Sequence, residues 1–282
     1  MDAAVTDRAL SAAREAADRA GVSVDLLREV HELEAAERLL SEVWNVEGQV
    51  VVAAHLMKAL LYSGNYVSGA LSNGQLVGTS IGFVGRHDAG VHLHSHITGV
   101  SNSMQGRSVG FALKQHQRAW ALQQGFEEVV WTFDPLVRRN GYFNIVKLGA
   151  EIVAYERDFY GAMRDAINAE DDSDRCVVSW RLASPRAIEA ARGHSYEAMG
   201  DPEQPTVVLG PDDAGTPQLS LQAGDVLAVQ VPEDIVALRR SQPDQAHSWR
   251  RALRDAFEWA FADGYRVTGM TREAGYLLRR PS

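Results

Sequence analysis

The residues with the greatest chemical capacity lie between Val91 and Leu113, in the stretch VHLHSHITGVSNSMQGRSVGFAL. Its first ten residues alternate as a strand does. His92, His94, His96 and Thr98 fall on one side, and Leu93, Ser95 and Ile97 on the other. Histidines at i, i+2 and i+4 on one face raise the question of a zinc site, but few acids stand close in sequence to complete it. Ser101 to Ser108 is a polar loop that includes Gly106. A helix is expected from about Ser108, with Val109, Ala112 and Leu113 on its apolar side and Lys114, Gln117 and Arg118 on the other. A helix entrance carries unpaired N–H groups and a partial positive charge. Small residues there let an anion approach the backbone, so this strand–loop–helix corner can seat a phosphate.

The elements that must position this corner are legible from periodicity and turn residues. Residues 1–20 carry Leu10, Ala13, Ala17 and Ala20 at helical spacing, and the helix is expected to stop at Gly21. A strand follows over Val22 to Val30. Helices are expected over Leu33 to Trp44 and Val50 to Tyr62. Tyr66 to Leu71 and Leu76 to Val84 read as a hairpin closed at Asn73-Gly74. After the central strand and helix come a strand from Glu128 to Phe133, ending at Asp134-Pro135, and a helix from Arg138 to Leu148, stopped by Gly149. Ile152 to Tyr155 and Arg175 to Leu182 are further strands, separated by an Asp- and Asn-rich segment. Residues 185–224 are rich in Pro, Gly and Asp and read as a connector with one short strand at Thr206 to Leu209. Residues 225–282 read as a small α/β lobe: a strand over Val226 to Val231, a helix opening at Pro232, a helix from Ser248 to Ala262, and strands at Tyr265 to Thr268 and Gly275 to Leu278. No chemistry is evident in that lobe. A cover over the site or a homodimer contact are the roles open to it.

Composition removes several classes. The chain has 282 residues, 45% hydrophobic and 23% charged, with a net charge of −9. That is ordinary for a soluble globular protein, and with no basic cluster it argues against nucleic acid as partner. The single cysteine, Cys176, excludes an internal disulfide framework and suits a reducing, cytoplasmic setting. It sits in CVVSW, an apparent buried strand, where a structural role is expected. No apolar run approaches the ~18 residues of a membrane span. The start of the chain lacks the basic residues and apolar core of a signal peptide.

Gln105-Gly106-Arg107-Ser108-Val109-Gly110 resembles the pyrophosphate-binding loop of the GNAT superfamily of N-acyltransferases, Gln/Arg-x-x-Gly-x-Gly/Ala, with Ser108 standing where that pattern has its first Gly. A second frame, Arg107 to Ala112, also fits. Leu93 to Val100, Trp131 to Leu136, Arg139-Asn140 and Lys147 to Ala150 are similar to one branch of that superfamily. The branch consists of predicted acyltransferases, some associated with N-succinylamino acid racemases. The similarity runs from about Val24 to Leu182 and continues more weakly beyond.

The resemblance implies an α/β fold with a mixed, mostly antiparallel central sheet flanked by helices, an acyl-CoA-binding domain over 21–184, and the small lobe beyond it. It implies direct transfer of an acyl group, acetyl or succinyl, from acyl-CoA to a primary amine of an amino acid or small metabolite, without a metal. The loop Gln105, Gly106, Arg107, Ser108, Val109 and Gly110 would hold the pyrophosphate. Thr98, Gly99 and Val100 would pair by backbone with pantetheine, and Asn140 would hydrogen-bond it. His94 or His96 would serve as base, unless both only shape the cleft. Asp134 would bind the substrate amine or simply end its strand. Many members place an acid tyrosine four residues before a Gly of this helix. That position is Ile145 here, and Tyr142, three residues earlier, is the candidate substitute. Arg138 and Arg139 could pair with a phosphate or carboxylate. These two departures keep open a catalytically silent CoA- or metabolite-binding homologue. An enzyme with another donor or acceptor is a further alternative.

Overall fold

The structure, a computed structural model, describes residues 3–44, 50–87, 90–161, 171–194, 204–273 and 275–281. Part of the expected Asp- and Asn-rich segment and part of the expected connector lie outside them. The architecture is mixed α/β, with an antiparallel-dominated central sheet flanked by helices. Its strands are β1 (Ser23–Leu26), β2 (Tyr66–Ser72), β3 (Gln75–His87), β4 (Gly90–Val100), β5 (Glu128–Phe133), β6 (Glu151–Glu156) and β7 (Arg175–Arg181), in the order β1-β2-β3-β4-β5-β7-β6. Chain contacts divide the molecule into two compact units. The first comprises residues 1–131 and 181–192, and the second 132–180 and 193–282.

In the first unit, α1 (Ala3–Ala20) is an alanine helix that buries Ala9, Ala13, Ala16, Ala17 and Ala20. It ends at Gly21, whose φ of +65° is the left-handed conformation a helix stop requires. Small side chains let α1 lie close against α4 (Val109–Gln123), forming a core with Val22, Ala70, Val109, Ala112 and Leu113. On the opposite face of the sheet, α2 (Val30–Trp44) and α3 (Ala54–Tyr62) enclose Leu33, Leu40, Met57, Val67 and Ile81. The β2–β3 hairpin turns at Asn73 and Gly74, both at positive φ, as the Asn-Gly pair predicts.

Two sequence expectations are overturned in this unit. The first concerns α4, whose expected polar side is buried: Lys114, Gln117 and Arg118 are 4%, 0% and 2% exposed. The cause is the layer above it. With α1 along one side and the sheet along the other, α4 has little face left for solvent. The second concerns β4, which does not alternate throughout. Against β3, Ser95 pairs with Gly82 but Ile97 pairs with Ile81, so His96 is an extra residue in a β-bulge. The bulge swaps faces. Thr98 joins Ser95 toward α4, and Ile97 joins His94 toward α2.

In the second unit, α5 (Arg138–Tyr142) runs into a π-helical turn over Phe143–Lys147, closed by the Leu148 N–H donating to the Phe143 carbonyl at 3.0 Å. A second sheet holds β8 (Thr206–Pro211), β9 (Pro217–Leu219), β10 (Leu227–Val229), β11 (Arg266–Thr271) and β12 (Gly275–Arg279), in the order β11-β12-β10-β8-β9. Helices α7 (Ile235–Ser241) and α8 (Pro243–Ala262) belong to this unit. The expected connector contains a helix that the sequence reading missed, α6 (Pro185–Ala191). It lies in the first unit and is capped by Ser184, whose hydroxyl accepts the Ala187 N–H at 3.2 Å. No helix among the described residues is long and apolar enough to cross a membrane.

Candidate functional site

The loop between β4 and α4 is built to leave its donors open. A single 3-10 turn, Asn102–Met104, folds it, and the Gln105 side-chain amide donates to Asn102 Oδ1 at 2.8 Å. Gly106 has a φ of +77° and Ser108 a φ of +63°. Two left-handed residues so close together turn successive N–H groups toward one side. Ser108 stands at the N-cap of α4, yet its side chain makes no capping bond. The first bond of the helix runs from the Ala112 N–H to the Ser108 carbonyl, at 3.0 Å. The N–H groups of Gly106, Ser108, Val109, Gly110 and Phe111 therefore donate to nothing among the described residues. The loop from Gln105 to Ser108 is exposed. Such an entrance is ready to accept an anion.

The second feature is the way β4 leaves β5. The two strands pair in parallel only at Leu93 with Val129 and His94 with Val130. From Ser95 to Val100, β4 keeps its β3 ladder but has no strand partner on its β5 side among the described residues. At the point of parting stands Lys114. Its ammonium donates to Ser95 Oγ at 3.0 Å and Gln117 Oε1 at 2.8 Å, and lies 3.8 Å from the ring centroid of Trp131. The network continues from the Gln117 amide to Ser80 Oγ, which shares a 2.8 Å hydrogen bond with Thr98 Oγ1. Burial lowers the Lys114 pKa to about 7, so near neutrality the group divides between ammonium and amine. The sequence reading placed Lys114 and Gln117 on an outer face. The available signal was the alanine stripe of residues 9–20, which needs a helix to cover.

On the other face of β4, His94 stacks on Phe83 with ring centroids 4.9 Å apart, and His96 lies 6.4 Å from His94. Burial, then repulsion from His96, His92 and Lys114, takes the His94 pKa down to about 4. The His96 pKa is also lowered, by partial desolvation of its ring, although the residue as a whole is exposed at the bulge position. His94 is thus a neutral and weakly basic imidazole at physiological pH. Among the described residues no group of three or more His, Cys, Asp or Glu side chains is arranged to hold a metal ion.

In the second unit, Asp134 is buried in an ion cluster. Its Oδ2 receives Arg239 at 2.6 Å and Arg250 at 2.8 Å, and both guanidiniums also reach Asp171. Burial alone would raise the Asp134 pKa, but the two guanidiniums hold it well below the usual carboxylate range. Its other oxygen accepts the Leu136 N–H at 2.9 Å. Tyr142 is half-buried, with Arg272 and Lys147 against its ring face, and Asn140 is exposed. Ile145 is buried inside the π-helical turn.

Comparison with known proteins finds similarity at the level of solved structures. No family model matches the sequence, and no curated protein matches it. An acetyltransferase of the GNAT family from Streptococcus pneumoniae is 13% identical, with a TM-score of 0.46, over 56% of this chain and 97% of that one. An N-acetyltransferase from Staphylococcus aureus Mu50 is 19% identical, with a TM-score of 0.44, over 58% and 99%. Arabidopsis thaliana Naa50, solved with the bisubstrate analogue CoA-Ac-MVNAL, is 19% identical, with a TM-score of 0.44, over 56% and 97%.

Proposed function

We propose that the protein is an acyl-CoA-dependent N-acyltransferase of the GNAT type, transferring an acetyl or succinyl group directly to a primary amine of an amino acid or small metabolite. One observation carries the reading: a strand that parts from its parallel neighbour and leads into a helix entrance with unpaired N–H groups. Extended pantetheine would lie along the free edge of β4 at Thr98, Gly99 and Val100. Its pyrophosphate would lie on the N–H groups of Gly106, Ser108, Val109 and Gly110. Arg107, exposed in the loop, supplies positive charge beside it. The left-handed conformation of Ser108 supports retention of the loop shape, since the residue does there what a Gly would do.

The amine nitrogen attacks the thioester carbonyl carbon, and the carbon–sulfur bond then breaks. The products are an amide and the free thiol of CoA. The amine must lose a proton and the thiolate must gain one. His94 or His96 would take the first. Tyr142 and Asn140 enter the proposal on the sequence resemblance alone. Asp134 we assign to the ion cluster and not to the amine, because two guanidiniums already occupy its outer oxygen. A catalytically silent binder is the second reading, favoured by the buried aliphatic Ile145 where many members carry a proton donor.

Calorimetric titration with CoA, acetyl-CoA and succinyl-CoA tests the site. Saturable binding is expected, and it should be weakened at least tenfold in Gly106→Glu, which places bulk and negative charge against the pyrophosphate. Unchanged affinity in that variant would move the cofactor elsewhere. Turnover of any amine would dispose of the silent reading.

A further inference from the structure

A second cleft in the first unit, about 210 Å³ in volume, lies among α1, α4 and α6. Arg8, Ala12 and Glu15 of α1, Arg118 of α4, and Ile188 with Arg192 at α6 line it. Arg118 is the residue that needs explaining. It is 2% exposed, and only its Nε has a partner, the Leu182 carbonyl at 2.8 Å. Its two terminal nitrogens make no hydrogen bond or ion pair among the described residues, and they are not sealed from the cleft. Burial without a carboxylate beside it lowers the Arg118 pKa to about 10. A buried guanidinium without a counter-charge is costly, and a fork of N–H donors is shaped for a two-oxygen acid.

The neighbours add charge of the same sign. Arg8 and Arg192 are exposed at the rim. Arg192 pairs with Glu189, outside the lining. The one acid of the lining, Glu15, is engaged by the Ser11 hydroxyl and by Arg19. The cleft is thus a basic pocket closed at its base by a preset Arg. It is smaller than the ~300 Å³ at which pockets for drug-sized ligands begin. Arg118 also stands nine residues along α4 from Val109, about 13 Å down the helix axis from the open entrance.

We infer that this cleft binds a small oxyanion, a carboxylate or phosphate borne on a molecule of few heavy atoms, with the Arg118 guanidinium as its anchor and Arg8 and Arg192 at the rim. The walls belong to three helices, so an occupant would tie α1 to α4 and α6. The site is separate from the loop at Gly106 and does not depend on what that loop binds.

The test is calorimetric titration of the full chain with inorganic phosphate and, separately, with succinate, in wild type and in three variants. Saturable binding of at least one anion is expected. Arg118→Leu should weaken it tenfold or more, while Gly106→Glu should leave it within about twofold. The double variant Arg8→Gln/Arg192→Gln changes exposed residues only and should weaken binding severalfold, so it decides the matter if Arg118→Leu does not fold. Absence of saturable binding by either anion in the wild type overturns the inference. So does wild-type affinity in folded Arg118→Leu, or in the double variant if Arg118→Leu does not fold. Loss of binding in Gly106→Glu alone would place the anion at the α4 entrance and overturn it as well.

Discussion

Lys114 and Trp131 meet where β4 and β5 part, with the ammonium 3.8 Å from the centre of the indole ring system. The charge is carried on a helix that two layers cover, and its environment offers hydroxyl, amide and ring face. Near neutral pH the group is only partly protonated.

Lys114 therefore sets a pH dependence of folding. Its pKa falls from 10.5 in the unfolded chain to about 7 in the fold. Between these values the unfolded chain binds more protons, so stability rises with pH across that window and levels off above it. Urea unfolding of the wild type at about pH 7 and about pH 10 should show the rise, and Lys114→Met should flatten it. Equal slopes in the two proteins would remove Lys114 as the cause.

His94 behaves oppositely to an exposed imidazole. Its pKa is depressed to about 4, so the unfolded chain takes up a proton first as pH falls below about 6.5, and the fold loses stability on that side. In the proposed reaction, at least one of His94→Ala and His96→Ala should lower kcat tenfold or more while CoA affinity stays within about twofold. If neither substitution slows turnover, the base lies elsewhere.

Ser108 occupies a left-handed conformation that an L-residue adopts at a cost of roughly 1–2 kcal/mol. Ser108→Gly should not lower the urea midpoint, and Ser108→Val should lower stability by about 1–2 kcal/mol, since β-branched residues fit that region worst. A destabilised Gly variant would show that the hydroxyl has a use the geometry does not reveal.

Gln115 is fully buried, and neither polar atom of its side-chain amide has a partner among the described residues. Replacing it by Met keeps the length and removes the unpaired groups, so Gln115→Met should raise stability by about 1 kcal/mol. A loss of that size in chemical denaturation would mean that a bound water completes the amide.

Asp134 binds two guanidiniums, both of which also reach Asp171. Asp134→Asn should cost about 3–5 kcal/mol, the usual price of stranding a buried charge. Arg250→Met together with Asp134→Leu should cost less than the sum of the single changes, which a double-mutant cycle would measure.

The sequence made local features legible. The Asn73-Gly74 hairpin, the stop at Gly21 and the loop before α4 follow from residue chemistry within a few positions. What it hid was set by distant partners. Nothing near Asp134 announces Arg239 and Arg250, more than a hundred residues on, so a strand-end acid looked available for substrate. Lys114, Gln117 and Arg118 looked like a solvated helix face because the alanine helix that covers α4 is about ninety residues away. The helix Pro185–Ala191 was lost in a Pro- and Gly-rich context, although Ser184-Pro185 is a good cap and first turn. Strict alternation along β4 failed at His96, since a bulge has no marker in a strand whose residues all suit a sheet.

That bulge gives His96 an unusual standing. Ser95 and Ile97 already meet consecutive residues of β3, so His96 is surplus to the ladder. Deleting it would join two correctly paired halves and leave every neighbour on its present face. In geometric terms the position is equivalent to one residue added to a regular strand. It adds an imidazole beside the parting strands without moving any side chain that builds the core.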